Sequence, residues 1–188
     1  MTNAQAGGVR QGGSSISQQL AKNLYLSPSK NPLRKFRELL IARRLEAELT
    51  KTRILDRARE AGAAFIVTPG LSESTVAAAG ESGIPILPGV ATATELMAGL
   101  DLGLTRFKFF PAEQAGGRAM LDALKGPFGH VRFCPTGGIT LDLARDYLTR
   151  SNVACVGGGW LTPKKLIDAR DWGAITALAR EAAGLKRA

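Results

Sequence analysis

The chain has 188 residues, of which 45% are hydrophobic and 22% are charged, which is typical of a globular protein and excludes a disordered chain. It lacks an apolar run of the roughly 18 residues that a membrane-spanning helix needs, and it lacks the apolar segment of a secretory signal. We therefore expect a cytoplasmic protein without a membrane partner.

The net charge of +9 is distributed unevenly along the chain. Residues 1–56 contain 10 Lys and Arg against 4 Asp and Glu, whereas residues 57–188 contain 15 against 12. The basic residues at the front are not interleaved with aromatic residues that could stack on bases, so the pattern disfavours a nucleic-acid partner.

The basic front segment is predicted to be helical. A serine pair can cap a helix in the run ISQQLAKNLYL, whose apolar residues recur at every fourth position. A second predicted helix extends from about Leu33 to Thr50, and ILDRAREAG at residues 54–62 reads as one continuous helix. No strand is predicted before residue 63.

After the front segment, short apolar runs alternate with helical stretches. The predicted strands are the five runs AAFIVTPG, IPILPGV, RFKFFPAE, VRFCPTGG and NVACVGGG. The predicted helices between them are SESTVAAAGES, TATELMAGLDLG, GGRAMLDALKG and TLDLARDYLTR. This alternation predicts parallel βα units, and a closed barrel of such units needs eight strands. The predicted fold class is therefore α/β, a partial (β/α)8 TIM barrel of five parallel strands that is preceded by a helical segment.

Lys108 lies between phenylalanines in the predicted strand RFKFFPAE. A period of two places Lys108 and Phe110 on one face of the strand, and Phe107 and Phe109 on the other. If the latter pair packs under helices, Lys108 points into the barrel, where lost hydration lowers the pKa of its amine and makes it a nucleophile towards ketones. The alternative is a lysine at a strand end whose ammonium group reaches solvent.

Two glycine turns follow the last two predicted strands. They are Thr136-Gly137-Gly138 and Gly157-Gly158-Gly159. In (β/α) barrels the loops at these places commonly bind phosphate through backbone N–H groups, and glycine lets the anion approach closely. The alternative is a pair of tight turns without a ligand. Together with a strand lysine, the turns predict a phosphorylated keto-acid substrate.

The two cysteines, Cys134 and Cys155, lie inside strand-like runs. We predict that both are small buried side chains in a reducing compartment and that they do not form a disulfide. No cofactor and no metal ion are predicted.

Four stretches of the second part resemble a known family, the bacterial 2-keto-3-deoxy-6-phosphogluconate aldolases: EAGAAFIVTPGL, IPILPGVATATELMAGLDLGLTRFKFFPAE, GPFGHVRFCPTGGI and ACVGGGWL. These are class I aldolases that yield pyruvate and glyceraldehyde 3-phosphate. The resemblance implies that Lys108 forms the Schiff base and that the protein is a homo-oligomer, a trimer. It also implies a pyruvate pocket and a phosphate site, formed respectively by Pro69, Phe110 and Thr136, and by Gly137, Gly138, Gly158 and Gly159.

This resemblance begins at about Asp56 and leaves out the family's first three strands. Those strands carry the general acid/base glutamate, an arginine that holds the substrate carboxylate and a threonine near the pocket, none of which has a counterpart here. Loss of the glutamate alone would slow proton transfer by roughly 10²–10⁴, so we expect impaired or absent turnover. The family often has serine where Gly159 stands, which implies that one hydroxyl contact to phosphate is missing.

The front segment resembles a different family. Residues from about 8 to 55 contain GGSSISQQLAKN and RKFRE, which are similar to motifs of peptidoglycan glycosyltransferases, particularly the monofunctional kind. The resemblance implies that Lys22, Arg34 and Lys35 grip a lipid-linked pyrophosphate and that Glu38 is a site carboxylate. The alternative for this basic segment is a solvated charged face.

We therefore interpret the chain as chimeric, with residues 1–55 and 56–188 as its two parts. Three hypotheses for its function follow. The chain is a class I aldolase with an incomplete site, a glycosyltransferase fragment that binds lipid-linked pyrophosphate, or a composite that has neither activity.

Overall fold

The computed structural model describes residues 40–41 and 50–185. Leu40 and Ile41 are helical and Thr50 is not, whereas the other residues of the predicted Leu33–Thr50 helix and all of the preceding one lie outside the described residues. The elements that follow are α1 Lys51–Glu60, β1 Ile66–Val67, α2 Glu73–Ser82, β2 Ile86–Leu87, β3 Gly89–Val90, α3 Ala93–Asp101, β4 Arg106–Phe109, α4 Gly117–Lys125, β5 Arg132–Pro135, α5 Leu141–Leu148, a 3₁₀ helix Gly159–Leu161, α6 Lys164–Ala169 and α7 Trp172–Ala183.

The strands lie in two sheets. One has the order β3-β4-β5 and the other consists of β1 and β2. In the three-stranded sheet both pairs are parallel, with Lys108 opposite Gly89 on one side and opposite Cys134 on the other. The predicted mixed α/β class with parallel strands is confirmed. A continuous five-stranded partial barrel is not seen in the described part of the chain.

Two predicted strands differ from the structure. The run IPILPGV is divided into β2 and β3 at Pro88, because proline has no N–H group to donate to a ladder. The run NVACVGGG makes only two isolated parallel bridges, Phe133 with Val153 and Thr136 with Gly157. Between these bridges it has one residue more than the facing segment, and an extra residue interrupts a ladder as a β-bulge does. The prediction of a fifth regular strand there is wrong.

Contacts divide the chain into two compact units. In the first, whose described residues include 50–66 and Ser74–Ile86, the helix predicted at residues 54–62 is confirmed up to Glu60, where α1 ends. Thr50 caps α1 by accepting a hydrogen bond from the Arg53 N–H. The core of this unit is a small apolar cluster formed by Leu55, Ile66, Ala78, Ala79 and Ile84.

The described residues of the second unit are Val67–Glu73 and 87–185. Its core is built on the phenylalanines of the parallel strands, since Phe107 and Phe109 are 0% exposed and Phe133 is 1% exposed. Phe109 and Phe133 meet edge to face, with ring centroids 6.3 Å apart. Helices α3 and α5 begin at threonine caps, Thr92 and Thr140. Buried apolar side chains therefore cover one face of the sheet that carries Lys108.

A pair of helix glycines provides a test of this packing. A Cβ atom at Gly99, in α3, would lie 2.3 Å from the Phe107 ring, whereas at Gly80, in α2, no described atom lies within 4 Å. We expect Gly99→Ala to lower the free energy of unfolding by about 1–3 kcal/mol. Gly80→Ala is expected to raise it by about 0.5–1 kcal/mol because alanine favours the helix. Urea unfolding of both variants measures the difference, and equal effects would contradict the packing of α3 on Phe107.

Candidate active site

Lys108 lies on the face of β4 opposite the buried core. Phe107 and Phe109 are fully buried, whereas Lys108 and Phe110 are half-buried. The Lys108 Nζ atom lies 4.2 Å from the centroid of the Phe110 ring, within the range of a cation–π contact. The predicted alternation of faces along this strand is confirmed.

The environment of Lys108 favours its neutral amine. Burial lowers the pKa of Lys108 below its ordinary value, because the ammonium form loses hydration, and the neighbouring Cys134 acts in the opposite direction. The direction is the one predicted from the sequence. A larger fraction of this amine is uncharged at any pH around the pKa than in a lysine surrounded by water.

Pro69 packs against the strand next to Lys108. Gly89, which is in register with Lys108, has no side chain, and a Cβ atom there would lie 2.1 Å from the Pro69 carbonyl oxygen. The backbone at Pro69 therefore lies against β3 at the level of Lys108. Of the residues predicted for the pyruvate pocket, Pro69 and Phe110 are thus near the lysine.

Thr136 lies just beyond the carboxyl end of β5. Its N–H donates to the Phe109 carbonyl oxygen at 3.0 Å, and its Oγ1 lies 3.9 Å from the Cys134 Sγ. Because Cys134 is in register with Lys108, Thr136 stands about two residues further along the sheet. Thr136 thus lies between the strand residues next to Lys108 and the first glycine turn.

Both glycine turns line one cavity of about 690 Å³. The lining residues are Thr136, Gly137, Gly138, Ile139, Thr140, Gly158, Gly159 and Trp160. The structure therefore brings together all four glycines predicted to bind phosphate, together with Thr136. Pro69, Lys108 and Phe110 are not among the residues that line this cavity.

Three of the four cavity glycines are required by backbone conformation or by close contacts. Gly137 and Gly138 have φ values of 108° and 76°, in the left-handed region that side chains disfavour. A Cβ atom at Gly158 would lie 1.9 Å from the Trp160 ring, whereas no described atom lies within 4 Å of one at Gly159. Only the last of these positions has room for a side chain.

The cavity also lies at the start of a helix. Thr140 is both a lining residue and the cap of α5, which begins at Leu141. The N-terminal end of a helix carries partial positive charge and N–H groups without intrahelical partners, which favour anions. The glycine turns and the helix start are thus suited to bind an anion such as phosphate.

The cysteine prediction is correct in one respect and wrong in another. Cys134 and Cys155 are not joined in a disulfide, as predicted. Cys134 is half-buried and Cys155 is exposed, because the run that contains Cys155 is not a strand covered on both faces. A hydrogen bond with Cys155, and to a lesser extent burial, raises the pKa of the Cys134 thiol.

Three side chains around the glycine turns, Glu113, Tyr147 and Trp160, were not among the predicted site residues. The Tyr147 hydroxyl donates to the Glu113 Oε1 atom, across 34 positions of sequence. In the described part of the chain, the Trp160 Nε1 atom is buried and has no hydrogen-bond partner. Glu113 ends the RFKFFPAE run, but nothing in the sequence indicates its partner.

The residues predicted for the front segment, Lys22, Arg34, Lys35 and Glu38, lie outside the described residues. Within residues 40–41 and 50–185, none of the helices has the length and apolar character needed to cross a membrane.

Two family models match the chain. The KDPG and KHG aldolase model matches residues 38–178, and the Transglycosylase model matches residues 1–57. These matches support the interpretation of the chain as chimeric. They overlap, so the position of the join near residue 56 stays a prediction.

Individual relatives agree with the aldolase match. The 2-dehydro-3-deoxy-phosphogluconate aldolase of Dickeya dadantii is 52% identical over 134 residues, which are 71% of this chain and 63% of the relative. The chain thus spans less than two thirds of the length of this curated relative.

The chain is also similar to solved structures. The Zymomonas mobilis 2-keto-3-deoxy-6-phosphogluconate aldolase with 3-phosphoglycerate has a TM-score of 0.67 and 49% identity, covering 73% of this chain and 64% of that one. The Legionella pneumophila KDPG aldolase, with pyruvate captured at low pH as a covalent carbinolamine intermediate, has a TM-score of 0.67 and 36% identity, covering 89% of this chain and 87% of that one. By sequence and by structure, the chain belongs to the KDPG and KHG aldolase family.

Proposed function

We propose that residues 56–188 form the imine-forming and phosphate-binding part of a class I aldolase site. Lys108 is the nucleophile, and the cavity between the glycine turns binds the phosphate of a 2-keto acid. The observation that carries the proposal is the position of Lys108. Its amine is partly desolvated beside Phe110, on the sheet whose carboxyl end leads through Thr136 to the cavity.

The chemistry starts from the neutral amine of Lys108. Its Nζ atom attacks the keto carbon, giving a carbinolamine, and loss of water leaves a protonated imine. The protonated imine at C2 accepts the electron pair of the C3–C4 bond, so that bond breaks as the C4 hydroxyl loses its proton to water or a base, which releases an aldehyde and leaves the enamine of pyruvate. We place Pro69, Phe110 and Thr136 around the pyruvyl group. The carbinolamine of the Legionella relative is consistent with this order of steps.

The proposed substrate is 2-keto-3-deoxy-6-phosphogluconate, with pyruvate and glyceraldehyde 3-phosphate as products. Backbone N–H groups at Gly137, Gly138, Gly158 and Gly159, together with the start of α5, would hold the phosphate. The presence of 3-phosphoglycerate in the Zymomonas structure supports a phosphorylated ligand. As in the aldolase family, we infer a homo-oligomer, a trimer, that needs no cofactor.

We further infer that this chain forms the imine but turns over slowly. Residues 1–57 match a different family and stand where the aldolase strands that carry the glutamate and arginine are expected. Without the glutamate, proton transfer is slower by roughly 10²–10⁴. In this interpretation residues 56–188 are the C-terminal part of a (β/α)8 barrel, and residues 1–55 are a separate part.

Borohydride trapping tests the proposal. Reduction of the pyruvate imine leaves a secondary amine and a mass gain of about 72 Da on the modified lysine. Trypsin does not cleave after a modified lysine, so the expected adduct is on the peptide FKFFPAEQAGGR, at residues 107–118. Peptide mass spectrometry measures it.

The outcomes of this experiment separate the parts of the proposal. Absence of the adduct from this peptide, or equal labelling of the exposed Lys125, would overturn the imine. An adduct together with turnover as fast as that of complete aldolases would retain the imine and overturn the inferred loss of proton transfer.

The second candidate function belongs to the front segment. The match of residues 1–57 to the Transglycosylase family favours a segment that binds lipid-linked pyrophosphate, with Lys22, Arg34 and Lys35 as cations and Glu38 as a site carboxylate. These residues lie outside the described part of the chain, so the candidate has no geometric support. An inactive composite remains the third hypothesis.

A further inference from the structure

We propose that Glu113 is a positioning residue that holds the phosphate-binding turn in place, through packing on Gly138 and a hydrogen bond from Tyr147. The proposal rests on the proposed function and deepens it, because it assigns to the phosphate site a residue outside the glycine turns. Glu113 is not among the residues that line the cavity.

The backbone of Glu113 is joined to the turn. The Glu113 N–H donates to the Gly137 carbonyl oxygen at 3.2 Å, and the preceding Ala112 N–H donates to the Thr136 carbonyl oxygen at 2.9 Å. These two bonds tie the turn that follows β4 to the residues that follow β5. The segment after the Lys108 strand therefore supports the start of the glycine turn directly.

The side chain of Glu113 packs against the second glycine of the turn. A Cβ atom at Gly138 would lie 3.0 Å from both the Cβ and the Cγ of Glu113. A separation this short for a hypothetical atom means that the Glu113 stem fills the space behind Gly138. Removing the stem would leave Gly138, whose φ is 76°, with room to move.

The Glu113 carboxylate is anchored to the helix that follows the turn. The Tyr147 hydroxyl donates to Glu113 Oε1 at 2.5 Å, and Tyr147, in α5, is 0% exposed. A Cβ atom at Gly117 would lie 3.3 Å from both Glu113 Oε1 and the Tyr147 hydroxyl oxygen. The backbone of Gly117 therefore packs closely against this hydrogen bond. Glu113 thus ties the turn to a fixed point in the core.

The electrostatics argue for positioning and against direct contact with phosphate. A carboxylate close to an anion site repels the anion, and the repulsion is poorly screened over distances shorter than about 8 Å. Burial, and to a lesser extent the hydrogen bond to Glu113, raises the pKa of Tyr147. The Tyr147 hydroxyl therefore stays protonated and can donate the hydrogen bond. Arg118 and Arg150 also act electrostatically on Tyr147, in the opposite direction.

The test compares two ligands that differ in phosphate. Half-saturating concentrations for borohydride-trapped adduct formation are measured with pyruvate and with 2-keto-3-deoxy-6-phosphogluconate. We expect Glu113→Ala to raise the value for the phosphorylated ligand about tenfold, and Tyr147→Phe about three- to tenfold, because each loses a partly buried hydrogen bond. The value for pyruvate should change less than about twofold.

Two further variants give the controls. Glu113→Gln keeps the shape and a hydrogen-bond acceptor, so it should restore the binding that Glu113→Ala loses. Asp101→Ala removes an exposed carboxylate at the end of α3 and should change neither value. If Glu113→Ala does not fold, Tyr147→Phe carries the test, since it removes only a hydroxyl group.

The outcomes distinguish this inference from the proposed function. Equal shifts for both ligands, or no shift in Tyr147→Phe, would overturn the positioning role. Loss of the pyruvate adduct in Glu113→Gln would assign acid–base chemistry to Glu113 and overturn it too. No adduct in the unmodified chain would overturn the proposed function itself.

Discussion

Replacing Lys108 with methionine is expected to abolish the borohydride-trapped pyruvate adduct and to raise the melting temperature of the chain. The first effect follows because Lys108 Nζ is the proposed nucleophile. The second follows because burial lowers the pKa of Lys108, which means that folding disfavours its charged form. Methionine has a similar length, carries no charge and can pack on Phe110. Peptide mass spectrometry and thermal unfolding measure the two effects.

The gain in stability should depend on pH. The pKa of Lys108 is lower in the folded chain than the ordinary value of 10.5 that it has when unfolded. Above the unfolded value the amine is neutral in both states and contributes no penalty. As the pH falls towards the folded-state pKa, the unfolded state binds the proton first and the folded state loses stability. The advantage of Lys108→Met should therefore be absent above about pH 10.5 and complete below the folded-state pKa.

A matched variant isolates the role of this lysine. Lys125, at the end of α4, is exposed, so Lys125→Met removes one positive charge without removing a desolvated one. We expect it to keep the pyruvate adduct and to gain no stability. An adduct that persists in Lys108→Met, or an equal gain in stability in Lys125→Met, would refute the argument from desolvation.

The elements that were predictable from the sequence depend on local periodicity. The opposite faces of Phe107 and Lys108 need only the period of two of a strand, and the structure has both as predicted. The convergence of the glycine turns needs only parallel strands, whose carboxyl ends meet at the same edge of a sheet. Both turns line one cavity, although a role in binding phosphate stays a prediction.

The elements that were not predictable depend on distant partners or on register. The run NVACVGGG has one extra residue between Val153 and Gly157, which interrupts its pairing with the segment that follows Phe133. The apolar character of the run reveals neither this interruption nor the exposure of Cys155. The bond between Glu113 and Tyr147 joins residues 34 positions apart, with no shared motif. By contrast, Pro88 was a readable signal that IPILPGV is not one strand.

Gly158→Ala is expected to weaken binding of 2-keto-3-deoxy-6-phosphogluconate at least tenfold, whereas Gly159→Ser should strengthen it about three- to tenfold. A Cβ atom at Gly158 would lie 1.9 Å from the Trp160 ring and 3.0 Å from the Ile139 carbonyl oxygen. Both neighbours line the cavity, so the new methyl group must displace its wall. The φ of Gly158 is −166°, an extended conformation, so the effect is steric and involves no backbone strain.

Gly159 is the matched position, because no described atom lies within 4 Å of its hypothetical Cβ. A serine there can point a hydroxyl donor at the anion, which restores the contact that the aldolase family often has. The half-saturating concentration of the phosphorylated ligand in adduct trapping measures both variants, and pyruvate serves as the ligand without phosphate. If Gly158→Ala binds the phosphorylated ligand as the unmodified chain does, the cavity is not the phosphate site. If both variants shift pyruvate and the phosphorylated ligand alike, their effects reach Lys108 through the fold and not through the anion.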